Sequence, residues 1–494
     1  MRGEMRVKRV ASVIAASAMA GAAGACATSD RLSRTEQALT FAETTAPIEW
    51  TAGVAPAAPP TGDWVGGFGD PGLERVLSAA LSDNFDLAAA SARLEQARQQ
   101  ARAAGAPLFP AIDANLSASG SEFGDAVIGV GGSESYGLSA SASWEADVWG
   151  RVRDGARAGA VDAVASEADY MGARLSLAGA VARGWYDLAE AQLLVVLAED
   201  EVATQERSLR LTQRRYESGV TGALDVRLAR SSLATSQFSR AQSRTFRNNA
   251  ARRLEVLLGR YPAGAIAGPT DLPDLPALDG SGAPADLLAR RPDLRAAEAR
   301  LESAGLRARQ ARKALLPRLT LTGSSGTNVG EFSDVFDSDY LVSTIGGGLL
   351  QPIFRGGALR AEAGRARAAA DERLAAYANL ALTAYREAED ALDAEMSLVE
   401  QEAALAVAAD EAAEAEALAE RNYTSGVGTI FELLDAQRRR ISAQRQLITI
   451  RADRVTNRIG LHLAIGGDIL IEQEPAVLQS APGAVDPARE DIDS

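Results

Sequence analysis

An internal repeat with an offset of about 207 residues is the feature that most constrains how this chain can fold. The segment Tyr216–Leu228, YESGVTGALDVRL, recurs as Tyr423–Asp435, YTSGVGTIFELLD. The same offset carries Leu108–Pro110 onto Leu315–Pro317. Because landmarks far apart in the chain keep this register, the repeat is a duplicated, domain-sized unit.

Hydrophobic periodicity predicts long helices and a few short strands in each copy. Alternating small apolar and polar residues predict strands near 112–119, 136–144, 319–325 and 340–353. Proline-free stretches predict helices over 151–215 and 357–422, each on the order of 90 Å long, with return helices over 224–258 and 430–464. Helices are also expected over 73–104 and 284–313. The expected fold class is mainly α with a small β part of four strands per chain.

These patterns divide the chain into six parts. The first repeat covers 64–260 and the second covers 285–467, each in the order helix, strand, strand, long helix, return helix. A proline- and glycine-rich linker, 261–284, joins them. The outer parts are a signal peptide at 1–25, an N-terminal arm at 26–63 and an acidic tail at 468–494 that we expect to be disordered.

The amino terminus has the pattern of a secretory signal. Arg2, Arg6, Lys8 and Arg9 precede a short apolar run, and small residues lead to Cys26. Lipidation of Cys26 is one interpretation. Ordinary cleavage before it is the other, because Ala23 stands where lipoprotein signals usually carry leucine.

Composition excludes several classes of function. A net charge of −15 argues against a nucleic-acid partner, which requires a basic surface. One cysteine and one histidine exclude intramolecular disulfides and Cys/His metal clusters. His462 lies in an apolar helix end and is expected to be a packed or capping residue. No catalytic arrangement, metal site or cofactor is expected, so the chain is predicted not to be an enzyme.

One face of the second long helix is apolar at helical spacing. Its members follow one another in steps of three or four: 374, 377, 381, 385, 388, 392, 396, 399, 403 and 407. This face is predicted to be buried.

Four strands are too few to enclose a membrane pore. Bacterial outer-membrane barrels begin at eight strands, and an open sheet edge cannot face lipid. Two chains would supply eight strands with a filled interior, whereas three would supply twelve and leave a lumen.

Several motifs, in order, resemble the TolC-type outer membrane efflux proteins, specifically the OprM/NodT-type lipoproteins of tripartite efflux systems. The similarity spans roughly Trp64 to Gly467. The motifs are Phe68–Pro71, Asp86–Leu87, Leu108–Pro110, Ser143–Arg151, Arg290–Leu294 and the two segments of the opening paragraph.

The resemblance implies a homotrimer in the outer membrane. Its twelve strands form a transmembrane barrel, and its long helices form an α-helical barrel through the periplasm. A periplasmic adaptor and an inner membrane pump, by analogy of the RND type, are the implied partners. The implied function is passive export without chemistry.

The resemblance also assigns site residues at the periplasmic tip. Asp435, Glu432 and Asp225 match a gate whose ring of carboxylates would favour cations. Possible latch residues between helices are Arg214, Arg215, Tyr216 and Tyr423. The contacts to the adaptor map onto two turns, whose residues are Gly219, Val220, Thr221, Gly222, Gly426, Val427, Gly428 and Thr429. The alternatives without a functional role are that the turns only connect helices and that Glu432 and Asp435 are a solvated pair of surface acids.

A second hypothesis from another class remains open. The chain could be a periplasmic coiled-coil scaffold or adaptor without a pore. The four strands and their Gly/Ser-rich loops argue against it, because such a scaffold has no use for them.

Overall fold

The computed structural model describes residues 50–52, 64–121, 133–275 and 284–467. The signal peptide 1–25, Cys26, most of the arm 26–63 and the tail 468–494 lie outside the described residues. So do the loop 122–132 and the linker segment 276–283.

Eight α-helices and four strands account for the regular structure of the described residues. In chain order they are α1 (Pro71–Asp83), α2 (Phe85–Gly105), β1 (Ala111–Ser121), β2 (Ser133–Ala146), α3 (Arg151–Glu217), α4 (Ala223–Leu257), α5 (Asp286–Arg290), α6 (Pro292–Lys313), β3 (Arg318–Val329), β4 (Val342–Leu350), α7 (Ala358–Ser425) and α8 (Ile430–Ala464). The mainly helical class with four strands is confirmed.

The duplication is visible in the element boundaries. The offset of the sequence repeat relates the first residues of α4 and α8, Ala223 and Ile430, and also their last residues, Leu257 and Ala464. The same offset relates the first residues of α3 and α7, Arg151 and Ala358. Both repeats therefore fold into a long helix and a return helix with matching bounds.

By packing, the chain divides into two compact units, each of which draws on both repeats. Within the described residues, the first unit contains parts of 101–162 and 297–379, and the second contains parts of 46–100, 163–296 and 380–467. These packing units do not coincide with the repeats 64–260 and 285–467.

The first unit is built on an antiparallel sheet in the order β1-β2-β3-β4. Strands β2 and β3 come from different repeats and pair in the register Tyr136 to Val329 through Ala146 to Leu319. Strands β1 and β4 are the edges, each with one paired neighbour in the part of the chain that the structure describes.

The two faces of the sheet differ in polarity. Directly paired residues of antiparallel strands share a face, so the register assigns every strand residue to one side. One face carries most of the large apolar residues, namely Ile112, Leu116, Leu138, Trp144, Leu319, Leu321, Ile345 and Leu349. The other face carries Asp113, Asn115, Ser117, Ser139, Ser141, Thr320, Thr322 and Ser324. The apolar face is open to its surroundings, with Ile345 92% exposed.

Aromatic residues gather at both ends of β2. At one end Tyr136 packs against Phe332, with ring centroids 5.6 Å apart, and Phe332 against Phe336 at 6.5 Å. At the other end the indole of Trp144 donates to the carbonyl of Leu108 at 3.1 Å. The strand from Tyr136 to Trp144 is about 27 Å long at the usual rise of an antiparallel strand.

Two helices predicted as continuous are broken. The predicted helix 73–104 is divided at Asn84, whose side chain accepts from the backbone N–H of Leu87 at 2.9 Å and so starts a new helix. The predicted helix 284–313 is divided at Arg291, whose extended backbone follows from the proline after it. The predicted loop 329–339 is also more ordered than expected, since it contains 3-10 turns at Phe332–Phe336 and Ser338–Tyr340.

The core of the second unit joins the short helix α1 to the long helices. Leu73 and Leu77 of α1 are buried beside Trp185 of α3 and Leu254 of α4. Asp70 caps α1 by accepting from the backbone N–H of Gly72 at 2.7 Å, and it also accepts from the Trp185 indole at 2.7 Å. This carboxylate therefore fixes α1 onto α3.

The apolar face predicted on α7 is buried along only part of its length. Five members of the face are buried, namely Tyr377, Ala381, Tyr385, Ala388 and Leu392. Met396, Val399 and Val407, further along the same face, are 46–63% exposed. Beyond Leu392 the covered positions are Glu395, Ala409, Glu416 and Tyr423, spaced by seven or fourteen residues. The covered positions follow a seven-residue repeat, which corresponds to 3.5 residues per turn, whereas the predicted face follows the 3.6 residues per turn of a straight helix. The two patterns therefore separate along α7. No helix of the described residues is both long and apolar enough to cross a membrane.

Candidate functional site at the interhelix turns

Two glycine turns connect the long helices to the return helices. Gly219 has φ +71° and Gly426 has φ +86°, a left-handed conformation that side chains with a Cβ disfavour. In both turns a backbone N–H closes onto the carbonyl five residues earlier, from Val220 to Arg215 at 2.9 Å and from Val427 to Asn422 at 3.0 Å. The turns predicted from sequence are present, with matching geometry.

The return helices begin with different caps. At α8 the Glu432 carboxylate accepts from the Thr429 backbone N–H at 2.7 Å, and the Thr429 hydroxyl accepts from the Glu432 N–H at 3.3 Å. At α4 the equivalent residues are Gly222, which offers no side-chain cap, and Asp225. The register of the repeat therefore aligns Asp225 with Glu432, and the Glu432 carboxylate is engaged at the start of its own helix.

Tyr423 is the buried centre of the site. It is 1% exposed, and its hydroxyl donates to the Thr212 hydroxyl at 3.1 Å. The Arg215 guanidinium lies 4.5 Å above its ring and also donates to its carbonyl oxygen. The structure thus brings Arg215 and Tyr423 together, whereas Arg214 is exposed and Tyr216 is 49% exposed.

Asp435 lies on α8 beside two arginines. Its carboxylate accepts from Arg439 Nε at 2.6 Å and from the Arg438 guanidinium. These hydrogen bonds, that of Arg439 first, hold the pKa of Asp435 below its ordinary value. The sequence hypothesis named the acid but missed both arginines, although their spacing of three and four residues from Asp435 on a helix would have indicated them.

The surface of the turns is apolar at its most exposed points. Val220 is 62% exposed and Val427 is 84% exposed, and the first residues after each turn include Leu224 and Phe431, at 64% and 66%. The remaining predicted adaptor-contact residues surround them. The space beside Gly428 is tight, because a Cβ there would lie 3.1 Å from the Tyr423 backbone nitrogen.

Further along the helices, α3 and α8 are joined by polar contacts that range from buried to exposed. The Gln437 side chain is 2% exposed and donates to the Ser208 hydroxyl at 2.9 Å. Arg440 donates to Asp200 at 3.0 Å, and the Thr449 hydroxyl donates to Glu190 at 2.8 Å. These contacts define one long seam between the first and the second repeat.

His462 is packed among aromatic rings in the same unit. It stacks on Trp64, with ring centroids 5.6 Å apart and planes 18° from parallel. Burial lowers its pKa to about 4, with a smaller effect of Arg458 in the same direction. This is the packed histidine that the sequence indicated.

One cavity of about 690 Å³ lies in the second unit. Its charged lining includes Arg183, Arg291, Asp293, Glu387 and Asp390. Arg291 is already engaged by the Asp293 and Glu387 carboxylates, each at 2.7 Å. Across the described part of the chain, no group of His, Cys, Asp and Glu side chains is arranged to hold a metal ion.

Comparison with known families matches both repeats. The family described as "Outer membrane efflux protein" matches residues 76–260 and again residues 283–467. The offset of the internal repeat relates the first residues of the two matched ranges and also their last residues.

Individual relatives agree with the family match. The chain is 33% identical over 433 residues to the pyoverdine export outer membrane protein OpmQ of Pseudomonas putida, covering 85% of this chain and 92% of the relative. It is 32% identical to the probable efflux pump outer membrane protein TtgC of the same species, covering 82% and 84%. The solved outer-membrane channel OprN superposes with a TM-score of 0.80 at 28% identity, covering 86% of this chain and 97% of that one.

Proposed function

Because the chain belongs to the outer membrane efflux protein family, we propose that it is the outer membrane channel of a tripartite efflux pump. In this role it is a passive exit duct for small molecules across the periplasm and the outer membrane. Transport through the duct requires no chemical step.

The sheet is the observation that carries this proposal. One face is exposed and apolar, the other is polar, and aromatic residues stand at both ends of β2. Transmembrane barrels present an apolar band about 25 Å tall to lipid, with aromatic girdles at both interfaces and a polar interior. Tilted by the 35–45° usual for such barrels, the strand from Tyr136 to Trp144 spans about 20 Å, which is most of the height of that band.

The free edges of the sheet support a homotrimer. Among the described residues, strands β1 and β4 each pair on one side, and an unpaired edge cannot face lipid. Pairing β1 of one chain with β4 of the next closes the sheet into a ring. Three chains then give twelve strands, which enclose a lumen that eight strands do not.

The interhelix turns are proposed as the periplasmic tip. Asp435 would form the constriction together with Glu432, three residues before it, and Asp225, the equivalent of Glu432 in the first repeat. The Arg215–Tyr423 contact would hold the constriction closed. The exposed valines Val220 and Val427 offer an apolar surface for a periplasmic adaptor, which connects the channel to an inner membrane pump of the RND type.

The amino terminus is proposed to carry a lipid. A lipid carried by Cys26, as the first residue after the signal peptide 1–25, would anchor the arm 26–63 in the outer membrane. Mass spectrometry of the mature amino terminus tests this, with the Cys26→Ser variant as the control. An unmodified Cys26, or a mature chain that begins elsewhere, would contradict it.

A scaffold or adaptor without a pore is the alternative, and the sheet argues against it. Such a protein gains nothing from an exposed apolar sheet face such as the one that carries Ile112 and Ile345. An exposed apolar patch of this kind on a soluble scaffold would promote aggregation.

Complementation tests the proposal in cells. The chain is expressed with its genomic neighbour pump and adaptor in a strain that lacks its own outer membrane channels, and dye efflux is measured. Efflux should return with the wild-type chain and fail with Gly426→Trp, which blocks the turn while trimers persist. Gly364→Trp, at a glycine with open space around it, is the matched control and should retain efflux. Absence of efflux with the wild-type chain, despite normal expression of all three components, would contradict the proposal.

A further inference from the structure

The two ends of the sheet carry opposite charge. At the end where Ser121 pairs with Ser133, the described segments 133–136 and 326–342 contain five acidic residues and neither lysine nor arginine. The acids are Glu134, Glu331, Asp334, Asp337 and Asp339. This end of the sheet would therefore repel an anionic partner.

The other end of the sheet, next to the long helices, is basic. The segments that flank the strands there are 145–155, 309–318 and 351–365. Together they contain nine arginine and lysine residues but only four acidic residues. In a chain with a net charge of −15, this excess of positive charge is a local exception.

The acids of the basic end are already paired with part of its arginine and lysine. The pairs are Glu145–Arg151 at 2.6 Å, Asp147–Arg153 at 3.2 Å, Asp154–Lys313 at 2.7 Å and Glu362–Arg365 at 2.6 Å. Arg355 and Arg360 are both exposed. Within the described part of the chain, neither of these two side chains has a hydrogen-bonding or ionic partner. Their guanidinium groups are therefore free to bind an anion from outside the chain.

Large apolar side chains stand directly before these arginines, in the segment that joins β4 to α7. Ile353 is 89% exposed and Phe354 is 87% exposed. The segment is held at the end of the sheet, because the Gln351 side chain donates to the carbonyl oxygen of Leu315 at 3.1 Å. An apolar pair followed at once by arginine is suited to a boundary between hydrocarbon and charged headgroups.

Trp149 lies at the same end of the sheet. It is 42% exposed, and its indole N–H donates to the carbonyl oxygen of Pro317 at 2.7 Å. Tryptophan is enriched where a membrane meets water, because its ring is apolar and its N–H is polar. The basic end of the sheet therefore has the composition of a membrane boundary.

We propose that the segment 351–360 binds an anionic glycerophospholipid. Ile353 and Phe354 pack against the acyl chains, while Arg355 and Arg360 donate hydrogen bonds to the phosphate diester. Arginine suits this role because its planar guanidinium donates two parallel hydrogen bonds to a phosphate.

This inference rests on the proposed function and adds a lipid partner to it. In an outer membrane channel whose helices extend into the periplasm, the basic end of the sheet lies in the periplasmic leaflet, which consists of glycerophospholipids. The acidic end lies in the opposite leaflet. A lipid with a net negative charge is favoured over a zwitterionic one, because the basic end attracts the whole headgroup and not only its phosphate.

Native mass spectrometry of the full-length protein tests the inference. The protein is reconstituted in vesicles with equal amounts of phosphatidylglycerol and phosphatidylethanolamine and extracted in mild detergent, and the retained lipids are counted. The wild-type protein should retain an excess of the anionic phosphatidylglycerol. In the Arg355→Gln/Arg360→Gln variant the ratio of phosphatidylglycerol to phosphatidylethanolamine should fall by about fivefold for each arginine.

Two matched variants serve as controls. Arg386→Gln/Arg421→Gln removes the same charge from exposed positions further along α7 and should keep the wild-type ratio. Arg355→Lys/Arg360→Lys keeps the positive charge and should still retain an excess of phosphatidylglycerol, because lysine also binds phosphate. High salt should reduce the excess in the wild-type protein, since it screens exposed charges.

The outcomes distinguish this inference from the proposed function. A wild-type protein that conducts in bilayers but retains both lipids equally would overturn the lipid site and leave the channel proposal intact. An equal fall of the ratio in the glutamine, lysine and control variants would also overturn the site. A protein that enters no vesicles would overturn both proposals. A fall confined to Arg355→Gln/Arg360→Gln supports the inference.

Discussion

The side-chain amide of Asn84 donates a hydrogen bond to the carbonyl oxygen of Leu257 at 2.9 Å, which fixes the end of the return helix α4. The second repeat forms the same contact with another donor. There Arg291, the counterpart of Asn84, donates to the carbonyl oxygen of Ala464, the counterpart of Leu257, at 3.2 Å. The break between two short helices therefore holds the end of a return helix in each repeat.

A glycine next to each of these contacts permits the close approach. Gly259 has φ +65°, and a Cβ there would lie 2.4 Å from the carbonyl oxygen of Asp83. Its equivalent Gly466 has φ +75° and would meet Arg290 at 2.9 Å. Both the conformation and the lack of space require glycine.

Gly259→Ala should therefore destabilise the protein by about 2 kcal/mol or more, because strain at positive φ adds to a backbone clash. Gly219→Ala is the matched control. Its φ is also positive, but it has open space around it, so only about 1 kcal/mol is expected. Chemical denaturation of the two purified variants measures the difference. Equal losses would show that the close approach to Asp83 is not important.

Arg215→Ala should loosen the proposed periplasmic tip and raise single-channel conductance, because Tyr423 loses both the cation above its ring and the donor to its carbonyl. Arg214→Ala removes a neighbouring arginine that is exposed, and conductance should remain close to that of the wild type. The two variants are compared in planar bilayers at one voltage. A similar rise in both would indicate a general charge effect and remove the specific role of Arg215.

Asp435→Ala should raise conductance and shift ion selectivity toward anions. The substitution leaves Arg438 and Arg439 without their shared carboxylate, so positive charge would predominate at the proposed constriction. The reversal potential in a potassium chloride gradient reports the shift. Glu362→Ala, which breaks a similar exposed ion pair with Arg365, should leave selectivity unchanged. If Asp435→Ala changes neither property, Asp435 is not part of the gate.

His462 should make the second unit sensitive to acid. Its pKa is about 4 in the folded protein and near 6.5 when unfolded, so below pH 6.5 the unfolded chain binds the proton more readily. Stability is therefore lost as the pH falls from 6.5 to 4, by up to about 3 kcal/mol.

The His462→Phe variant isolates this effect from the other titrating groups, including Glu395, which interacts with His462 electrostatically. Phenylalanine retains an aromatic ring beside Trp64 but binds no proton. Thermal unfolding followed by tryptophan fluorescence should show a smaller loss of stability between pH 6.5 and 4 in the variant. Parallel pH profiles would contradict the assignment to His462.

Sequence alone predicted the elements whose signals are local. The return helix α8 was expected over 430–464 and occupies Ile430–Ala464, because a threonine cap begins it and Gly466 follows its end. The strands were predicted by their alternation, although β1 and β2 extend two to three residues further at some ends. The break at Asn84 was missed because neither proline nor glycine marks it.

Burial in the long helices was harder to predict, because it depends on which helix covers each face. Tyr216 and Tyr423 are the same residue at equivalent positions, yet only Tyr423 is covered by Thr212 and Arg215 of the same chain. Likewise, Val407 continues an apolar pattern whose first part is buried, while it is itself exposed. Such differences follow from the arrangement of whole helices rather than from local sequence.

Single-channel recording of the purified wild-type chain in a planar lipid bilayer tests the central claim most directly. Discrete conductance steps are expected after reconstitution, because the proposed trimer encloses a continuous lumen. Bilayers that contain verified protein but show no steps above the lipid background would contradict the claim that this chain is an export channel.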